Sequence, residues 1–220
     1  GESLQLEARN SSWTDDLIDQ LEIRVTDLES QANSSASTAS SSNAGEIGKY
    51  SFVGGGSRLT ALGNWSSIGG GSLNKALGKM STVTGGALNT ASGSCSVSGG
   101  YTNAAHGGYS SVGGGHSSTA VGNYATIAGG LRNTALGSQS AVGGGTENYA
   151  SETWATIGGG WQNTAGYLGR VGGGGRNFAA MRASVGGGIY NSASGYYAAV
   201  SGGRNNDASG SRSSVLGGIY

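Results

Sequence analysis

Few residues in this sequence could do chemistry, and their spacing limits them further. The chain of 220 residues holds one cysteine, two histidines and twelve acids. A lone Cys95 excludes an intrachain disulfide and any four-cysteine zinc site, leaving a free thiol or an interchain bridge. His106 and His116 stand in turn-like sequence with no cysteine or carboxylate at ligand spacing, so both read as surface histidines. The triple-glycine runs lack the Gly-Lys-Ser/Thr of a phosphate loop. Calcium-binding solenoids need an aspartate in each turn, and the glycine-rich part of this chain holds only Asp207. No nucleophile sits in a local catalytic signature, and the acids are too sparse for a paired-carboxylate hydrolase. The expectation is a non-enzymatic chain with no cofactor, no metal and no nucleic-acid partner.

Binding chemistry is better represented. Just after successive Gly-Gly pairs come Arg58, Tyr101, Arg132, Trp161, Arg176, Tyr190 and Arg204. Arginine and aromatic residues are the usual anchors of interfaces. This column reads as a subunit contact, a sugar-stacking surface or a set of solvated turn residues. A second variable column holds Trp65, Tyr109, Tyr124, Trp154 and Tyr197, with Cys95 assigned to it. Sequons at Asn10, Asn33 and Asn64 matter only in a eukaryotic secretory pathway.

The elements that carry these columns follow from composition and repeat. Glycine supplies 46 residues and proline none, which excludes a collagen triple helix. With 35% hydrophobic residues and two phenylalanines, an ordinary layered core would lack large side chains. No apolar run approaches the roughly 20 residues of a membrane span, and no signal peptide is visible. The start at Gly1 suggests a processed or trimmed product.

A Val or Ile followed one position later by Gly-Gly recurs at Val53, Ile68, Val83, Val97, Val112, Ile127, Val142, Ile157, Val171, Val185, Val200 and Val215. The spacing is 15 residues eight times and 14 three times. Eight residues after each of the first eleven anchors stands an alanine, and six after stands an asparagine in nine of the eleven, Leu59 and Ser118 departing. Ten after stands a glycine in eight, broken by Glu152, Tyr167 and Met181. The consensus is Val/Ile-x-Gly-Gly-x-x-Asn-x-Ala-x-Gly-x-x-Ser/Ala-x.

Val/Ile and Ala read as inward positions on short strands. The glycines read as corners, and the asparagine as a corner residue that bonds its own backbone or stacks into an amide ladder. Two strands and two turns in 14 or 15 residues make one coil of an all-β solenoid. Eleven coils at about 4.8 Å give a rod of about 50 Å. So thin a roll buries little apolar area, which predicts association of several rolls.

The segment Gly71-Ser72-Leu73-Asn74-Lys75-Ala76-Leu77-Gly78-Lys79-Met80-Ser81 resembles the head repeat of trimeric autotransporter adhesins, and similar repeats occur in trimeric phage fibres and secreted proteins of aquatic microbes. The resemblance covers residues 51 to 220 and implies a left-handed parallel β-roll, three chains to a head. Asparagine stands where that family usually has serine, and here a helical segment precedes the roll instead of following it.

That helix is expected over residues 13–31, with Ile18, Leu21, Val25 and Leu28 at the spacing of a coiled-coil seam and Leu17 beside it. Residues 1–12 form an N-terminal extension, 32–50 a Ser/Ala-rich linker or neck, and 51–220 the repeat domain. Overall neutrality hides opposed halves. Residues 1–44 carry eight acids against two bases, and the remainder four acids against ten bases.

The leading functional expectation is a structural subunit of an extracellular fibre or filament, a homotrimer joined end to end through its acidic helical part and a roll that stops partway through a coil at Val215–Tyr220. The alternative is an adhesin or phage-type fibre head that binds cell-surface glycans, at a cell or virion surface. Ice binding is a weaker third reading, because Thr82, Thr126 and Thr156 alternate with Ser and Ala in their column.

Overall fold

The computed structural model describes residues 38–39 and 44–219. The extension 1–12, the expected helix 13–31 with Ile18, Leu21, Val25 and Leu28, and the sequons at Asn10 and Asn33 lie outside the described residues.

The described chain is a parallel β-solenoid. Short strands, from Thr38–Ala39 to Ser214–Val215 and two residues long except at Ala44–Ile47 and Leu59–Ala61, alternate between two sheets, one of 13 strands and one of 11. Every pairing is parallel and joins each coil to the next: Val142 pairs with Ile127 and Ile157 in the first sheet, Ala135 with Ala120 and Ala150 in the second. Parallel pairing reaches back into the segment expected as a linker, where Thr38–Ala39 pairs with Phe52–Val53, and Ala44–Ile47 with Leu59–Ala61.

Each coil has a third stacked row that the two-strand expectation lacked. Single residues from Ser57 through Tyr101, Leu131 and Trp161 to Arg204 and Ile219 pair in parallel, one per coil. A lone bridging residue leaves no alternating apolar pattern, so nothing in the sequence marks it as extended.

Four inward rows fill the interior. The anchors from Val53 to Val200 are buried, and Val215 is partly so. The alanines from Ala61 to Ala208 form the second row. A third, small row directly precedes the strands of the first sheet: Ser51, Ser66, Ser81, Cys95, Ser110, Ala125, Ser140, Ala155, Ala183 and Ala198. The asparagines form the fourth and are buried to within 1% exposure.

Burying so many amides is tolerable only if each is satisfied. Asn133 Nδ2 donates to the Gly129 carbonyl of its own coil at 2.8 Å and to the Gly145 carbonyl of the next at 2.9 Å. Its Oδ1 accepts the backbone N–H of Asn148 at 3.0 Å. The same set repeats at Asn74, Asn89, Asn103, Asn148, Asn163 and Asn177. The side chain therefore bonds its own backbone and clamps the next coil. Direct amide-to-amide bonds are added between Asn191 and Asn177 and between Asn206 and Asn191.

Glycine is required at one corner for closeness rather than for φ. A Cβ on Gly122 would lie 2.0 Å from the Gly137 carbonyl oxygen of the next coil. Glu152 occupies this column where the following coil is one residue short. At the other corner Gly130 has φ +98° and also abuts the next coil.

The three 14-residue coils lose their residue at two different places. From Ile157 to Val171 and from Val171 to Val185 the missing residue lies just after the row alanine, so Gly166 and Ala180 take the corner column, where packing is looser: a Cβ on Gly166 would lie 3.6 Å from the next coil. Their carbonyls accept from Gly169 and Ala183, as Gly122 accepts from Ala125. Tyr167 and Met181 are therefore not replacements for that glycine. From Val83 to Val97 the missing residue is the exposed turn residue itself.

Candidate functional site

The surface assembled from Arg58, Tyr101, Arg132, Trp161, Arg176, Tyr190 and Arg204 divides into two adjacent rows. Tyr101, Trp161 and Arg204 lie in the bridging row. Arg58, Arg132, Arg176 and Tyr190 lie one residue on, where φ is left-handed, between 52° and 60° throughout the row. That conformation costs a non-glycine residue about 1 kcal/mol. Coil stacking compensates: Arg132 N–H donates to the His116 carbonyl of the coil before at 2.8 Å, as Leu73 does to Ser57 at 2.9 Å.

Several of these residues meet. Arg132 pairs with Glu147 at 3.1 Å, Gln162 Nε2 donates to Glu147 at 2.8 Å, and Arg176 Nε donates to Gln162 Oε1 at 2.6 Å. Arg176 also donates to the Tyr190 hydroxyl, and its guanidinium lies 4.9 Å from the Trp161 ring centre and 5.2 Å from that of Tyr190. Tyr101 stacks on His116, ring centres 5.1 Å apart. Arg58 and Arg204 belong to the same corner, towards its two ends. Glu147 and Gln162, the links of this chain, stand in the same column as Arg132 and Arg176, and sequence did not single them out because neither is arginine or aromatic. The Gln162 and Arg132 bonds hold the Glu147 carboxyl below its ordinary pKa.

A second left-handed row runs along the corner between the two sheets. Tyr50 stacks on Trp65 at 4.4 Å and Tyr109 on Tyr124 at 5.3 Å, close to the spacing of successive coils. Trp154 Nε1 donates to Gln139 Oε1, and Tyr167 meets the Trp154 ring edge-on at 6.1 Å. Arg182 donates to the hydroxyls of Tyr196, at 3.1 Å, and Tyr197. The Tyr197 bond, and then charge interaction with Tyr196 and Tyr197, raise the Arg182 pKa. Bonds with Tyr196 and then Arg182 lower that of Tyr197.

Cys95 does not belong to this aromatic row. Its coil lacks the exposed turn residue, so Cys95 falls in the small inward row, where it is 3% exposed. Its thiol donates to the Gly107 carbonyl at 2.9 Å and accepts from Ser110 Oγ at 3.4 Å. The interchain bridge considered for an aromatic-row thiol has no accessible sulfur here. Asn64, by contrast, is exposed, and its Oδ1 accepts the Lys49 N–H at 3.1 Å.

Among the described residues no group of three or more His, Cys, Asp or Glu side chains converges, and no helix is long and apolar enough to cross a membrane. His106 bonds Ser92 at 2.7 Å. The outward side of the 11-stranded sheet carries threonines at Thr60, Thr90, Thr119, Thr134 and Thr164, a richer row than the one around Thr126. Lys75, Ala104, Tyr149, Phe178 and Ser192 interrupt it. Beside it Leu62, Leu77, Val121 and Leu136 are exposed.

Fold and surface together define a parallel β-solenoid of 14- and 15-residue coils, a scaffold of stacked corner rows. No protein-family model and no curated protein matches the chain.

Proposed function

We propose that the chain is a structural subunit of an extracellular fibre, in which three left-handed β-rolls associate side by side and the trimers join end to end. One observation carries this reading: Leu62, Leu77, Val121, Leu136, Tyr149 and Phe178 are exposed along a single side of the rod. Parallel sheets are ordinarily covered on both faces, and exposed apolar residues gathered on one side mark association surfaces, here in patches that the polar pair Ser92 and His106 separates. The roll's own interior holds nothing larger than Leu and Ile, so lateral packing adds the apolar burial that a thin rod lacks.

End-to-end contact is supported by charge. The acidic segment of residues 1–44 and the basic remainder attract in a head-to-tail sense, and a heterologous contact of that kind propagates. The coiled-coil seam of Ile18, Leu21, Val25 and Leu28 would join the same three chains. Electron microscopy of the full chain at low and at high salt tests the reading. Filaments that shorten as salt rises support it, and discrete particles under all conditions overturn it.

A second reading, a fibre head that holds a cell-surface glycan, is favoured by the concavity around Trp154 and Arg170. At the Arg176 corner the arginine and aromatic groups already satisfy one another within the chain.

A further inference from the structure

Two adjoining concavities of about 410 and 440 Å³ lie along the corner between the sheets and share Leu168 and Arg170. Gln139, Trp154 and Thr156 wall one end. Arg182, Ala183, Ser184 and Tyr197 wall the other. The position has a cause in the repeat. Two successive coils, Ile157–Val171 and Val171–Val185, are each one residue short at this corner, between full-length coils that carry Trp154 and Tyr197.

The lining is chemically unlike the rest of the rod. The outward row of the 13-stranded sheet is serine, threonine or alanine from Ser67 to Ser214, except at Arg170. Arg170 stands in register between Thr156 and Ser184, so a cationic residue is flanked by hydroxyl-bearing residues on the two neighbouring strands, each about 4.8 Å away along the rod. Among the described residues Arg170 has no hydrogen-bond or ion-pair partner. Arg182 is anchored through Nη1 by Tyr196 and Tyr197 and contributes a positioned charge. The Trp154 ring is held at its nitrogen by Gln139. Glu152, two residues before Trp154, lines neither concavity.

We propose that this groove binds an acidic saccharide, a pyranose bearing a carboxylate or a sulfate. The inference deepens the glycan-binding reading and rests on it. Arg170 receives the anion in a forked, charge-assisted pair. The apolar C–H face of the sugar lies on Trp154, and Thr156 and Ser184 exchange hydrogen bonds with its ring hydroxyls. Arg182 adds attraction without a direct bond. Volumes of this size suit small-ligand sites, and two joined compartments suit two linked sugar units.

The test is calorimetric titration of the full chain with five probes: a sulfated oligosaccharide, a carboxylated one, the neutral counterpart of each, and polyglutamate. The expected result is binding of one or both acidic sugars, with the sulfated and carboxylated arms naming the anion. Neutral sugars and polyglutamate bind at least tenfold more weakly. Arg170→Gln and Trp154→Ala each reduce affinity at least tenfold at unchanged melting temperature, Arg170→Lys restores part of it, and Arg176→Gln has no effect. Binding of neutral sugars unaffected by Arg170→Gln overturns the inference and leaves the glycan reading standing. Equal binding of polyglutamate, or equal loss in Arg176→Gln, overturns the inference by reducing it to general charge. Absence of binding to any sugar overturns both.

Discussion

Asn148 Oδ1 accepts the backbone N–H of Asn163 at 3.1 Å, one coil further along the rod. Through this bond and two donated ones, each row asparagine from Asn74 to Asn191 ties the Gly-Gly corner of its own coil to that of the next, whereas the Asn206 Oδ1, in the last of the row, accepts no such bond. Stability in a solenoid is close to a sum of repeat and nearest-neighbour terms, so this clamp is the natural unit to perturb.

Asn133→Ala should therefore cost about 2–4 kcal/mol, because it strips partners from Gly129, Gly145 and Asn148 inside a dry interior. Ser118, in the same row, accepts from Asn133 N–H but has no amide to reach Gly114 and Gly130. Ser118→Asn should stabilise by about 1 kcal/mol. Urea unfolding followed by circular dichroism reads both.

Gly122→Ala places a Cβ 2.0 Å from the Gly137 carbonyl oxygen, against backbone that the sheets hold in place, and should disrupt stacking by more than about 3 kcal/mol. Gly85, with nothing within 4 Å of its Cβ position, is the control, and Gly85→Ala should be neutral or stabilising by up to about 1 kcal/mol. Equal melting temperatures for the two variants would contradict the close-packing account.

Much of this was legible in the sequence. The Val/Ile anchors and the alanines recur in phase, so their inward placement follows from period alone. Three things were not legible. The bridging row pairs through single residues whose types range from Ser57 to Trp161, so no alternation betrays it. The left-handed turn row accepts Trp65, Met80, Gln139 and Arg182 alike, because the coil ladder imposes φ there. Counting from the anchor misassigned Cys95, Tyr167 and Met181, because a one-residue deletion shifts every column beyond it. The groove around Arg170 arises from the same deletions and has no motif of its own.

Cys95 should react with a thiol reagent only as fast as the roll opens, and at full rate in urea. Cys95→Ala and Cys95→Ser should change stability by less than about 1 kcal/mol, since the row already carries Ala125 and Ser110. Rapid labelling of the folded protein would refute the inward placement.

The Glu147 carboxyl, held below its ordinary value of 4.5 by Gln162 and Arg132, binds protons more weakly folded than unfolded. Its contribution is therefore fully present above pH 4.5 and falls away as pH drops through the lower folded value. Because the group is exposed, the effect should be small and weaker in salt. Glu147→Gln should remove it, which a comparison of melting temperature against pH between variant and parent detects.

The central claim is lateral association through the exposed apolar row, and native mass spectrometry of the full chain at micromolar concentration tests it most directly. The account predicts a species of three times the 21.6 kDa chain mass. It also predicts that Val121→Lys with Leu136→Lys, both on the outside of the roll, yields folded monomer. A parent chain that stays monomeric across concentration, or a trimer indifferent to both lysines, would contradict it.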